Sequence, residues 1–265
     1  MITTVAGDGN AAYVSDNVAA TSTSLTLPLD VAVDASGNIF IADTGNDRIR
    51  KVTASTGTIT TIAGTGNISD AYSVRSDMAT RYYLSKPNGV ALDSAGDVYI
   101  VGSKLDHCVL KVAVSTGIIT VVAGTGPYAS GTEGYNGDDV LATKAYLYTS
   151  TQVYFDASDN MLINDIDNFR IRRVSASTGI IITVAGTGSG TEDDRLTSEG
   201  DGGSAILVSI CSSSGLAVAA SGDFYFSDEG LNVVKEVTYT TGTPSSSVTA
   251  APAITPAVPQ KKMSK

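Results

Sequence analysis

Hydrophobic and polar residues alternate along most of this chain in short runs of period two, broken by turns rich in Gly, Asp, Asn and Ser. In "VAVDASGNIFIADTGNDRIRKV" at 31–52, Val31–Asp34 is one such run, Asn38–Ala42 a second and Arg48–Val52 a third. Side chains of a strand point to its two faces in turn, so each run reads as a short β-strand. "ASGN" and "DTGN" supply the turns, because Gly takes positive φ freely while Asp and Asn bond nearby backbone amides. After "TASTG" comes a fourth run, Thr58–Ala63. No apolar spacing of helical period is long enough to compete, so the unit reads as four antiparallel strands.

The unit recurs as "VALDSAGDVYIVGSKLDHCVLKV" at 90–112, "VYFDASDNMLINDIDNFRIRRV" at 153–174 and "LAVAASGDFYFSDEGLNVVKEV" at 216–237. The closing valines Val52, Val112, Val174 and Val237 lie 60, 62 and 63 residues apart. Tandem four-stranded units of this length read as the blades of a β-propeller. In the last unit the fourth run is degraded: the aligned segment "TPSSSV" puts Pro244 at the position of Ile59, and proline removes a ladder donor. A substitute exists at the other end, where "ITTVAG" at 2–7 repeats "TITTIAG" at 58–64. Two architectures stay open: a ring closed by the N-terminal strand, or an arc of a larger wheel. The expectation is therefore an all-β chain, a β-propeller of four four-stranded blades over residues 1–243. Residues 244–265, rich in Ser, Thr, Pro and Ala without hydrophobic periodicity, read as a flexible tail.

"PNGVALDSAGDVYI", "DTGNDRIRKV" and "TGTITTIAGTG" resemble NHL repeats, and "GYNGDDVLATKAYL" at 134–147 is similar to the linker that joins such repeats. Some positions depart from the pattern. Ser150 and Ser213 stand where Pro28 and Pro87 precede the first strand, Ala219 replaces the Asp of Asp34, Asp93 and Asp156, and Gly102 takes the place of Asp43, Asp165 and Asp228. The resemblance implies a propeller, more usually of six blades, which is the larger wheel of the second architecture. It also implies a choice of activities: binding scaffolds, lyases and hydrolases with histidine-rich or calcium-centred sites, and domains that bind RNA through basic surfaces.

Charge narrows that choice. The chain has 27 acidic against 17 basic residues, a net charge of −10. Such a field repels phosphate backbones, which argues against nucleic acid and anionic membranes as partners. No apolar run approaches the ~18 residues of a membrane span. Met1 leads straight into a β-type run with no signal peptide, which predicts a cytosolic protein if the sequence is complete. The Ser/Thr/Pro-rich tail and the sequon Asn67-Ile68-Ser69 predict a surface or secreted one if it is not. Cys108 and Cys211 are too few for a disulfide framework and read as small buried hydrophobes.

Strand polarity puts the short turns "DASGN" and "TASTG" on one rim. The long connections, near 64–86, 124–150 and 186–213, fall on the other, where function concentrates on a rigid scaffold. Most acids lie on that second rim. Asp138, Asp139, Asp193, Asp194 and Asp201 are the candidate binding residues, for a basic or cationic protein or ligand. Asp43, Asp165 and Asp228, at one repeat position, are candidate calcium ligands if they converge on the channel, because calcium needs about six to eight oxygens. That set would serve a cation-dependent hydrolase or lyase. The competing reading of these aspartates, and of Asp34, Asp93 and Asp156, is turn capping. His107 is the lone histidine, so a multi-histidine metal site is impossible, and it aligns with the turn residues Asp47 and Asn232. The third-strand bases, densest at Arg170, Arg172 and Arg173, lack interleaved aromatics and read as solvated. The leading expectation is a non-enzymatic scaffold that binds protein or ligand through an acidic rim.

Overall fold

The computed structural model describes residues 1–66, 77–102, 107–126, 134–190 and 202–239, and the backbone of 246–250. It is all-β, with four antiparallel blades arranged as a four-bladed β-propeller. Blade 1 begins with a short edge strand β1 (Val18–Ala19), followed by β2 (Pro28–Val33), β3 (Ile39–Asp43), β4 (Arg48–Thr53) and β5 (Thr58–Ala63). Blade 2 is β6 (Pro87–Leu92), β7 (Val98–Gly102), β8 (Val109–Ala113) and β9 (Ile118–Ala123). Blade 3 again has an edge strand, β10 (Val140–Leu141), before β11 (Ser150–Phe155), β12 (Met161–Asp165), β13 (Arg170–Val174) and β14 (Ile180–Ala185). Blade 4 is β15 (Ser213–Val218), β16 (Phe224–Asp228), β17 (Val233–Tyr239) and β18 (Ser246–Ala250).

The register repeats with the sequence. Ile41 faces Arg50, Ile100 faces Leu110, Ile163 faces Arg172 and Phe226 faces Lys235, while Val52, Val112, Val174 and Val237 face the first residue of each preceding strand. Apolar residues on the two faces of each blade meet those of its neighbours. Phe40, Ala42 and Ile49 pack on Val90, Val98 and Ile100 between blades 1 and 2. Tyr99, Val101 and Val109 pack on Val153, Met161 and Ile163 between blades 2 and 3, and Leu162 and Ile171 pack on Leu216, Phe224 and Phe226 between blades 3 and 4.

The connections into blades 1, 2 and 3 touch the outer strand of the blade they enter before they turn inward. β1 pairs with β5, Met78 bridges Ile118, and β10 pairs with β14. A short 3-10 turn follows, with a buried alanine in each repeat: Ala20, Ala79, Ala142 and Ala205. The carbonyls of these alanines accept the N–H of Gly7, Gly64, Gly124 and Gly186. That explains the recurrent Ala-Gly. At Gly64, Gly124 and Gly186 φ is positive, and a Cβ would collide with the carbonyl oxygen of Asp47, His107 or Phe169.

The N-terminal strand expected to close the ring does not form. Residues 1–7 join no sheet, and Ile2 and Val5 are exposed. Blade 4 instead takes its outer strand from Ser246–Ala250, inside the stretch read as a tail, with Val248 opposite Val237 as Ile59 is opposite Val52. The sequence reading failed here on register. Pro244 lies before the strand, so the ladder loses no donor, and Val248 and Thr249 are ordinary β-branched strand residues.

Candidate functional site

The second-to-third-strand turns and the blade connections share one rim. Three buried aspartates end the second strands there, each less than 2 % exposed: Asp43, Asp165 and Asp228. Each is turned into its own blade. Asp43 accepts from the Thr26 N–H at 2.8 Å and from Asn46 Nδ2, and Asp165 accepts from the Tyr148 N–H at 2.8 Å and from Asn168 Nδ2. Asp228 accepts from the N–H groups of Cys211, Ser212, Gly230 and Leu231. These bonds hold the turn and the incoming connection together, which is the capping role. Among the described residues no group of three or more His, Cys, Asp or Glu side chains could hold a metal ion.

Two of them also meet buried arginines. Arg50 and Arg172 have fully buried side chains; Arg50 lies 3.5 Å from Asp43 and 2.8 Å from Asp16, and Arg172 lies 3.5 Å from Asp165 and 3.0 Å from Asp138. Burial pushes the Asp165 carboxyl up to about 6 against the opposing pull of its hydrogen bonds and of Arg172. Asp138, expected on the binding rim, is partly buried and tied to blade 3, also accepting from Thr183 N–H and Oγ1 at 2.9 and 3.0 Å. Its neighbour Asp139 is exposed, in a left-handed conformation (φ 61°). Asp193, Asp194 and Asp201 lie outside the described residues. Asp8, Asp77, Asp167 and Glu229 are further exposed acids of the blade connections and second-to-third-strand turns.

On the opposite rim Asp34, Asp93 and Asp156 cap their turns as the sequence implied: each accepts the backbone N–H groups two and four residues on. The Asn38 side chain, with those amides, holds the Asp34 carboxyl below the ordinary range. For Asp156 burial pushes the other way, but the bonds from Asn160 and the charge of Arg173 prevail and lower it.

His107 takes the left-handed turn position (φ 32°) that Asp47, Phe169 and Asn232 occupy in the other blades, and its ring lies 5.3 Å from that of Tyr148. The third-strand arginines are not solvated faces. Besides the buried Arg50 and Arg172, Arg48 and Arg170 bond the carbonyls of Thr65 and Thr187 and stack on Tyr13 and Tyr135 at 3.7 and 3.8 Å. The sequence reading missed both tyrosines because they sit on the connections. The available signal was their common spacing, seven residues before Ala20 and Ala142.

Four-stranded blades in repeat register, aspartate-capped turns and connections docked through Ala-Gly define an NHL-repeat β-propeller. The family model for the Teneurin NHL domain matches residues 5–238, and the chain belongs to that family. A search of curated proteins finds no match. Among solved structures, an auxiliary nutrient binding protein from Bacteroides ovatus aligns with TM-score 0.56 at 17% identity, over 82% of this chain and 49% of that one. A putative gluconolactonase aligns with TM-score 0.54 at 12% identity, over 85% of this chain and 63% of that one. A streptogramin B lyase aligns with TM-score 0.48 at 15% identity, over 84% and 54%. The chain thus spans about half the length of the nutrient binding protein and of the lyase, and its likeness to the nutrient binding protein, at 17% identity, is one of fold alone.

Proposed function

We propose that this propeller is a non-catalytic binding scaffold whose long-connection rim takes a basic protein segment or a cationic ligand. One observation carries the reading: the acids of the connections and turns divide into a buried set spent on the fold and an exposed set that faces solvent. Asp43, Asp165 and Asp228 have their oxygens committed to turn amides and arginines. Asp8, Asp77, Asp139, Asp167 and Glu229, carried on the blade connections and the second-to-third-strand turns, are exposed. Clustered acids of this kind raise the local concentration of a cationic partner and speed its docking, an effect that salt weakens. Asp193, Asp194 and Asp201 belong to the same rim in sequence and join the proposed surface.

The test compares the native chain with Asp139→Asn/Asp167→Asn/Glu229→Gln in a binding titration against a lysine- and arginine-rich peptide. Binding to the native chain that weakens with salt, and weakens again in the variant, supports the reading. Equal affinity in both proteins, or none in either at low salt, removes the acidic rim as the binding surface.

A further inference from the structure

The junction between blades 2 and 3 and that between blades 3 and 4 end differently at the rim of the capped turns. The first is locked. Ser94 donates its N–H to the Asp159 carboxylate at 3.0 Å and its hydroxyl to the same group, and the Tyr99 and Phe155 rings meet edge to face at 4.5 Å. In the second, each of those four side chains is replaced by a smaller one. Ala157 and Gly222 stand where Ser94 and Asp159 do, and Leu162 and Val218 where Tyr99 and Phe155 do.

A cavity of about 320 Å³ opens there. Its exposed lining is Ala157, Ser158, Ala220 and Ser221, and its less exposed lining is Asp156, Arg173 and Tyr239. An aromatic ring at this register position is peculiar to blade 4. Ala54, Val114 and Ala176 occupy it in the other blades, each donating its N–H, as Tyr239 does, to the side chain that ends the preceding turn. Two polar atoms of the lining residues, the Tyr239 hydroxyl and Arg173 Nε, are buried with no hydrogen-bond partner. A buried group left unpaired costs free energy, and a ligand that pairs it recovers that cost.

We propose that this cavity binds a neutral polyhydroxylated small molecule of monosaccharide size. Its volume falls at the lower end of the range for small-ligand sites. Charge selects the class. Arg173 is paired with Asp156 at 3.3 Å, and beside them Asp223 accepts from the Tyr239 N–H at 2.8 Å and the Ser221 hydroxyl at 2.7 Å. An anion would meet two carboxylates and a cation would meet the guanidinium. A sugar hydroxyl carries no charge and both donates and accepts, so one ligand oxygen can accept from Arg173 Nε–H while another bonds the Tyr239 hydroxyl. Tyr239 also offers an apolar ring with a polar tip, which suits a ligand that is apolar on its C–H face and polar at its edge. The cavity lies on the rim opposite the blade connections, so it stands or falls separately from the proposed binding function.

Calorimetric titration of the full chain with glucose, galactose, mannose and xylose tests it, with glucuronate and glucosamine as charged counterparts. The expected result is one site per chain for at least one neutral sugar at micromolar to millimolar concentration, and weaker binding of the charged sugars. Tyr239→Phe removes a hydroxyl without a partner in the free protein. Its melting temperature should therefore hold while affinity falls roughly three- to tenfold, the worth of one hydrogen bond. Ala220→Trp, at an exposed position of the lining, fills the cavity and should abolish binding, with thermal melts to show that each variant stays folded. No binding of any neutral sugar at millimolar concentration overturns the proposal. So does unchanged affinity in either variant, which would put the sugar elsewhere. Tighter binding of glucuronate or glucosamine overturns it as well, because the cavity would then select ions.

Discussion

Blades 1 and 3 bury an arginine where blade 2 buries a leucine. Arg50, Leu110 and Arg172 sit at one register position, opposite Ile41, Ile100 and Ile163, and each is at most 3% exposed. The partner changes with it: Asp43 and Asp165 end the second strands of blades 1 and 3, and Gly102 ends that of blade 2. Leu84, Ser85, Pro87 and Ile100 close over Gly102 and Leu110, leaving a void too small for a water molecule. The same backbone therefore accepts a charged pair or none, but not half of one. Desolvating two ions offsets most of their attraction, so exchanging the whole pair for apolar groups is close to neutral, while removing one partner strands a buried charge. What the pair adds is a link to the incoming connection, since Asp16 and Asp138 reach the same guanidinium groups.

The largest expected effect is the half-pair. Arg172→Leu imitates blade 2 at one position only and leaves Asp165 buried without its cation, so urea unfolding should show a loss of about 3–5 kcal/mol. Adding Asp165→Asn to Arg172→Leu keeps an acceptor for the Tyr148 N–H and removes the stranded charge. The double variant should be more stable than the single one, with a coupling energy above about 1 kcal/mol in the double-mutant cycle. Additive losses would mean that the arginine acts through packing alone, and that the contrast between blades is not electrostatic.

A smaller effect belongs to pH. The folded-state value of Asp165, about 6, lies above its ordinary value of 3.8. Between those values the unfolded chain has released the proton and the folded chain still holds it, so this residue makes stability fall as pH rises from about 4 to about 6. The contribution is on the order of 3 kcal/mol. Asp34 and Asp156 run the other way: their lowered values add stability above the ordinary carboxylate range, and it is lost as pH falls through the folded values. The difference in unfolding free energy between the native chain and Asp165→Asn isolates the first effect. We expect it to change between pH 4 and 6 in favour of the variant and to be level from pH 7 to 8; no change across the lower interval would refute the burial account of Asp165.

The blades were legible because period two, turn residues and a repeat near sixty residues all say the same thing. Turn caps such as Asp34 and the turn position of His107 could be read for the same reason, since their bonds are local. The buried arginines were not. Arg48, Arg50 and Lys51 look like one basic strand, yet alternation puts Arg50 on the face of Ile41, where its cation is paid for by an aspartate seven residues back and another thirty-four back. A signal did exist in the repeats, because Gly102 and Leu110 depart from the pattern together. The outer strand of blade 4 was hidden by the greater number of residues between β17 and β18, which shifts Val248 past the position where a fixed repeat length looks for it.

The smallest expected difference separates two adjacent aspartates. Asp138 accepts three hydrogen bonds from Arg172 and Thr183 and is 30% exposed at its side chain, whereas Asp139 is exposed. Asp138→Asn keeps the size and removes the charge facing the buried guanidinium, and we expect a loss of about 1–2 kcal/mol, within the range for a hydrogen bond to a charged group. Asp139→Asn should change stability by no more than about 0.5 kcal/mol, as surface substitutions commonly do. Asn17 already occupies the equivalent place in blade 1, with φ 62° against 61°, and asparagine enters the left-handed region readily. Thermal melts of the two variants, read beside their affinity for the basic peptide, then assign each carboxylate a role. A destabilised Asp139→Asn would make that residue part of the fold's own ion pairing. An unchanged melt with weakened peptide binding would leave it on the outward surface, one residue away from a carboxylate that holds the blade together.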